Sequence, residues 1–260
     1  LHHVTVKEGS ASLGDSAVVT YDTEKRIRTA RNHSATHLLQ KALREVLGSH
    51  IEQAGSSVDE NRLRFDFTHF EAIKPEQLKE IEKIVNKSIL ASYDVDIKSM
   101  PIDEAKKLGA MALFGEKYGS VVRMVKMGDF SVELCGGTHL DNTAKAGLFK
   151  IVTEIGVAAG VRRIEVVTGL GVLNLLGEKQ GLIESTAKEL KVQNANDIVK
   201  RASSLQDEVR ALKREIEILN SKMAGSRVDE LLNNAKIVGE VSVITADLKD
   251  MAVDAVRSLG

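Results

Sequence analysis

With 260 residues and 43% hydrophobic content, the chain can fill one large or two ordinary domains around a sizeable core. A formal net charge of -1 gives no overall attraction to nucleic acid, so any RNA contact has to come from local clusters. A single cysteine excludes an internal disulfide framework, no apolar run reaches membrane-spanning length, and the start lacks a signal peptide's basic flank and apolar stretch, which together read as cytoplasmic.

The first thirty residues alternate apolar and polar positions around "LGD" and "YDTEKR", which predicts short strands and tight turns, the end of a small β-domain over 1–30. Within "EKRIRTAR", Lys25, Arg26, Arg28 and Arg31 form one basic cluster, readable as a solvated face or as an RNA contact. From Asn32 to Leu47, "NHSATHLLQKALREVL" has one broad apolar face, with Asn32 as its cap and Gly48 as its stop. "RLRFDFTHF" alternates as a strand, and Pro75 opens a second helix through about residue 91.

Strands and short helices continue to about Thr168, including "SVVRMVKMG", "FSVELC" and "RRIEVVTG". Without a regular βαβ rhythm, this stretch is an α+β domain over 31–170. From 171 to 224 helix formers and charges dominate, split near "VQNAND". Apolar or small residues at 198, 202, 205, 209, 212, 216, 219 and 223 make an a/d seam, to be buried by an antiparallel hairpin or by a second chain. "MAGSRVD" is expected to end that helix, and residues 225–260 read as the start of a small α/β element. A start at Leu1 and a last strand and helix with nothing to pack on suggest a piece of a longer polypeptide.

The chemistry concentrates in two short pairs. His33 and His37 lie four apart on the first helix, so their imidazoles project from one face a turn apart. Cys135 and His139 flank a Gly-Gly step that is expected to let the backbone fold both side chains towards one point. Together they make a His₃Cys set, which suits zinc. Ser34 stands where the glutamate of H-E-x-x-H would be, which disfavours a zinc peptidase. Cys135 as a nucleophile with His139 as base remains an alternative, but it leaves the His33 and His37 pair unexplained.

The stretches "RNHSATHLLQKALREVLGSHIEQAGSSVDENRLRFDFTH", "LFGEKYGSVVRMV", "SVELCGGTHL" and "GVRRIEVVTG", in this order, resemble the editing domain of the alanyl-tRNA synthetase family. The resemblance runs over essentially the whole chain; the editing domain of threonyl-tRNA synthetase and free-standing alanyl editing proteins share the metal-ligand pairs. Ser57 departs from it, where leucine is expected in "GSLV". It implies a threonyl/alanyl-type α+β editing fold, one Zn²⁺ per chain, and hydrolysis of serine or glycine wrongly esterified to tRNA(Ala), with ATP needed only by the full-length enzyme.

The same resemblance implies that Gln53 lines the pocket, with Thr138 and the backbone amides of Gly136 and Gly137 as candidates to hold substrate or a developing oxyanion. The acceptor end of tRNA(Ala) is the expected partner, with Lys25, Arg26, Arg28, Arg162 and Arg163 as candidate contacts. Arg162 and Arg163 read equally well as structural arginines. Homodimerisation through the coiled coil or a missing C-terminal domain is a further expectation. The rival readings are a free-standing deacylase acting in trans and a non-catalytic, zinc-stapled module for tRNA binding or dimerisation.

Overall fold

The computed structural model describes residues 5–10, 12–110 and 119–245. The part of "LFGEKYGSVVRMV" before Gly119 and the expected C-terminal helix lie outside them. Two compact units divide the chain, Leu1–Gly177 and Glu178–Gly260.

In the first unit, residues 5–10 and 12–22 form no strand, contrary to expectation; Asp15 accepts the Ser12 amide at 2.7 Å in a turn there. The first helix, α1 (Thr23–Leu47), starts well ahead of Asn32, because Asp22 is extended and accepts the Lys25 amide at 2.9 Å. Glu24 adds an acidic group to the first turn, where the helix dipole favours it. Asn32 is instead a buried mid-helix tie: its Nδ2 donates to the Asp59 carbonyl at 2.8 Å, and its Oδ1 accepts from Thr168 Oγ1 at 2.7 Å. Gly48, at φ 118°, ends the helix as expected.

Strands β1 (Gln53–Val58) and β2 (Leu63–Thr68) follow, then helix α2 (Pro75–Leu90), opened by Pro75 as anticipated. Next come β3 (Val95–Pro101), the short helix α3 (Ile102–Lys107), β4 (Val121–Met127) and β5 (Ser131–Leu134). A 3-10 turn at Thr143–Ala146 leads to β6 (Phe149–Ala158) and β7 (Val161–Thr168). Two antiparallel sheets result, with strand orders β1-β2-β7-β6 and β3-β4-β5.

Strict alternation in β2 sends Leu63, Phe65 and Phe67 into the core, where Phe65 lies opposite Ile164 and Leu63 opposite Val166 of β7. Each such fully buried side chain contributes about 1.5–3 kcal/mol through area removed from water. Helix α1 packs against α2, β1, β2, β7 and β5, so it is the element that both sheets share. Its contact with β5 brings the segment after Leu134 against the helix.

Helix α4 (Leu170–Glu189) starts in the first unit and ends in the second. The second unit continues with a 3-10 turn (Ala195–Asp197), the long helix α5 (Ile198–Asn233) and a hairpin of β8 (Lys236–Val238) and β9 (Val241–Val243). Helix α5 runs straight through "MAGSRVD": one interior glycine costs only about 1 kcal/mol in a helix, and no proline is present. The seam residues Val209, Leu212, Ile216 and Leu219 are at least half exposed within the single chain. No helix among the described residues is long and apolar enough to cross a membrane.

Candidate metal centre

The two pairs converge. One ligand atom from each of His33, His37, Cys135 and His139 lies within 4.8 Å of the others. The His33 and His37 rings stack one turn apart, with centroids 5.6 Å apart and planes 11° from parallel. His139 closes the group, 4.5 Å from the His33 ring and 4.9 Å from the His37 ring. Cys135 Sγ is 3.4 Å from His33 Nε2. Bonds of about 2.0–2.3 Å to one tetrahedral ion set ligand atoms about 3.3–3.8 Å apart, so a small inward adjustment suffices.

Four side chains that are not ligands hold this geometry. Ser34, fully buried between the two helical histidines, accepts the Leu140 amide at 3.0 Å and so ties the loop after His139 to α1. Arg123 on β4 donates from Nη1 to the carbonyls of Cys135 (3.0 Å) and Gly137 (2.6 Å). Glu133, buried on β5, accepts from His37 Nδ1 through Oε2 and from Ser131 Oγ through Oε1 at 3.0 Å.

The two glycines have unequal jobs, and neither has the positive φ that would call for backbone freedom. A Cβ on Gly137 would lie 1.8 Å from His33 Cε1, so glycine is needed there for close approach of the ring. A Cβ on Gly136 would meet nothing within 4 Å. The Gly137 amide donates to Cys135 Sγ at 3.4 Å, which takes it out of the expected set of substrate-facing donors.

Burial pushes the Cys135 thiol up, but the His139, His33 and His37 imidazoles beside it and the charge on His37 outweigh burial and bring the thiol down to about 3. Burial pulls His37 down, yet the Glu133 carboxylate that accepts from its Nδ1, with Cys135 close by, raises it to about 10. Burial, with the charges of His37 and His33, lowers His139. His37 Nε2 and both ring nitrogens of His139 are buried without a hydrogen-bond partner. A Cys–His dyad would engage one imidazole and leave the rest orphaned; a shared cation uses three imidazoles and a thiolate together, so these residues fit a metal ion.

The other expected site residues divide. Gln53 opens β1 and donates from Nε2 to Ser56 Oγ at 3.2 Å on its own strand. Arg162 is ion-paired with Glu154, and Arg163 forms a two-pronged pair with Asp66 at 2.7 and 2.8 Å across β7 and β2, so both are bound into the sheet. Lys25 pairs with Glu60 at 3.3 Å, Arg28 reaches the Glu60 carbonyl and Asn61, and Arg26 lies over the Tyr21 ring. These three remain on the exposed start of α1. Sequence reasoning missed Glu133, because the apolar alternation of Phe130, Val132 and Leu134 places it on the polar face of its strand and its partner His37 lies on α1.

Residues 122–165 match the family described as threonyl and alanyl tRNA synthetase second additional domain. That stretch includes Glu133, Cys135 and His139. The chain is 52% identical over its whole length to an alanine–tRNA ligase of Acetivibrio thermocellus, 51% identical over 98% of its length to one of Clostridioides difficile, and 48% identical over its whole length to one of Desulforamulus reducens. It spans 29% of the length of each of these relatives. Over its full length the chain is therefore related to one segment of the alanine–tRNA ligases, and its residues 122–165 match the threonyl and alanyl tRNA synthetase second additional domain.

Proposed function

We propose that this segment is an editing hydrolase, cleaving the ester that joins serine or glycine wrongly to tRNA(Ala), and that it acts in the cytoplasm as part of a longer enzyme that attaches alanine to tRNA(Ala) using ATP. The observation that carries the proposal is the convergence of three imidazoles and a thiolate, with orphaned buried nitrogens, in a chain related throughout to alanine–tRNA ligases. The need for such a site is physical. A pocket shaped for a methyl group cannot strongly exclude glycine and excludes an added hydroxyl only modestly, so a second, hydrolytic site restores accuracy.

His33, His37, Cys135 and His139 would hold zinc, which supplies Lewis acidity towards an ester oxygen and fixes the shape of the pocket. Four protein ligands close a tetrahedral site, which favours the shaping role. Thr138 and the Gly136 amide are the groups we assign to the substrate or a developing oxyanion, while the Gly137 amide supports the thiolate. Gln53 would orient the attacking water or the substrate. A buried polar group that reads serine's hydroxyl would be left unpaired by alanine, which spares the correct product. Lys25, Arg26 and Arg28 are the proposed contacts to the acceptor end, and the exposed seam of α5 supports pairing with a second copy.

The deciding measurement is hydrolysis of Ser-tRNA(Ala) by this chain and by Cys135→Ala, with metal analysis on the same samples. Activity should disappear with the metal. Undiminished hydrolysis by a metal-free variant would refute the proposal, and tRNA binding without hydrolysis by the metal-loaded chain would favour a non-catalytic module.

A further inference from the structure

We infer that Glu133 is the positioning residue of the metal centre: its carboxylate holds His37 protonated at Nδ1 and so aims Nε2 at the ion shared with His33, Cys135 and His139. The inference rests on reading the cluster as a metal site. Glu133 is only 4% exposed, on a strand whose neighbouring Ser131 and Leu134 are also buried. A carboxylate in such a position persists only when its oxygens are satisfied. Both are: Oε2 accepts from His37 Nδ1, and Oε1 accepts from Ser131 Oγ at 3.0 Å. The carboxylate is therefore fixed in rotation as well as in place.

On the imidazole, the consequence is one-sided. Once an ion displaces the proton from Nε2, a ring that donates from Nδ1 presents its lone pair there, and His37 Nε2 is buried with no hydrogen-bond partner. The near-parallel stacking of His33 and His37 shows the two rings held in one orientation a turn apart. Flipping the His37 ring would break the bond to Glu133 and turn Nδ1 to the ion, at the wrong reach. His139 differs, since neither of its nitrogens has a hydrogen-bond partner, so the brace acts on His37. Ser131, Glu133 and His37 form a chain of the carboxylate–histidine–metal kind, in which the outer members govern ligand orientation and basicity.

The test uses the whole chain and Zn²⁺ with a competing chelator. Glu133→Gln keeps the shape and removes the acceptor charge; it should weaken zinc binding about 10- to 100-fold. Ser131→Ala leaves the carboxylate but frees its rotation and should weaken binding several-fold, which keeps the inference testable if Glu133→Gln fails to fold. In a His37→Ala background, Glu133→Gln should cost several-fold less than in the wild type, because Glu133 acts through His37. With Co²⁺ in place of zinc, Glu133→Gln should keep the thiolate charge-transfer band of Cys135 while the tetrahedral d–d absorption weakens as His37 detaches.

Wild-type zinc affinity in both Glu133→Gln and Ser131→Ala overturns the inference, as does an equal loss with and without His37. A lowered melting temperature of the metal-free chain with unchanged zinc affinity also overturns it, by making Glu133 merely structural. Failure of the wild-type chain to bind zinc is a different result, since it removes the metal reading itself.

Discussion

Replacing Gly137 with alanine puts a methyl group where the His33 ring already lies. The added carbon would be 1.8 Å from Cε1, 2.4 Å from Nδ1 and 2.9 Å from Nε2. Ordinary contact begins near 3.4 Å, so ring or loop must retreat by about 1.6 Å, against a tolerance of about 0.2 Å in a metal–ligand distance. Because Gly137 has no positive φ, alanine brings no backbone strain, and the effect falls on the ligand. Loss of an outer partner of a ligand weakens a site about 10- to 100-fold, so displacing a ligand should reach at least about 100-fold, or about 2.7 kcal/mol. Chelator competition for zinc measures this directly, and Ser-tRNA(Ala) hydrolysis should fall with it. Gly136→Ala is the control: its methyl meets nothing within 4 Å, so zinc affinity should stay within about twofold. Normal zinc binding by Gly137→Ala, or equal damage from Gly136→Ala, would refute the close-approach argument.

Ser34→Ala removes the acceptor of the buried Leu140 amide and should cost about 1–3 kcal/mol in urea unfolding; an unchanged midpoint would show that the tie is dispensable. The hydrogen bond from Arg163, against some burial and aided by the charges of Arg163 and Arg64, holds the Asp66 carboxyl below the usual carboxylate range. Its folded value is depressed, so its stabilisation is present above about pH 4 and is lost as pH falls through the folded value. Asp66→Asn should therefore lower the melting temperature by a few degrees at neutral pH and flatten its acid dependence, and identical pH curves would contradict this. For tRNA, neutralising Lys25, Arg26 or Arg28 should reduce the salt slope of binding by about 0.7–0.9 per lost phosphate contact, whereas Arg162→Ala and Arg163→Ala should leave it unchanged. Slope changes of the opposite pattern would move the RNA path onto the sheet.

The convergence of His33, His37, Cys135 and His139 was legible in the sequence because its two halves are local. A four-residue spacing on a helix and the C-x-x-x-H loop each specify a bidentate arm without reference to the rest of the chain. β2, α2 and β4 were legible for the same kind of reason, since alternation in "LRFDF" and proline at a helix start act over a few residues. The start of α1 was not, because "YDTEKR" carries both turn and helix-start signals and only the observed Asp22 cap decides between them. The Gly-Gly step misled in its cause: close approach of His33 depends on a ring a hundred residues earlier in the chain, which spacing cannot reveal. Ser34, Arg123 and Glu133 were hidden likewise, since each acts through a partner on another element. The end of α5 was misplaced by giving one glycine the weight of a proline.

The separation of the two arms along the chain has a consequence for synthesis. His33 and His37 precede Cys135 by about a hundred residues, so at about 5–20 residues per second the helical pair is made some 5–20 s before its partners exist. During that interval α1 offers a growing chain two imidazoles and a broad apolar face with neither sheet complete. The last ligand to arrive, His139, comes with the loop that Ser34 then fastens to the helix, so the site is completed only when β5 docks. On the proposed metal reading, uptake at full affinity is thus a late event, and it reports that the β3-β4-β5 sheet has met the helix.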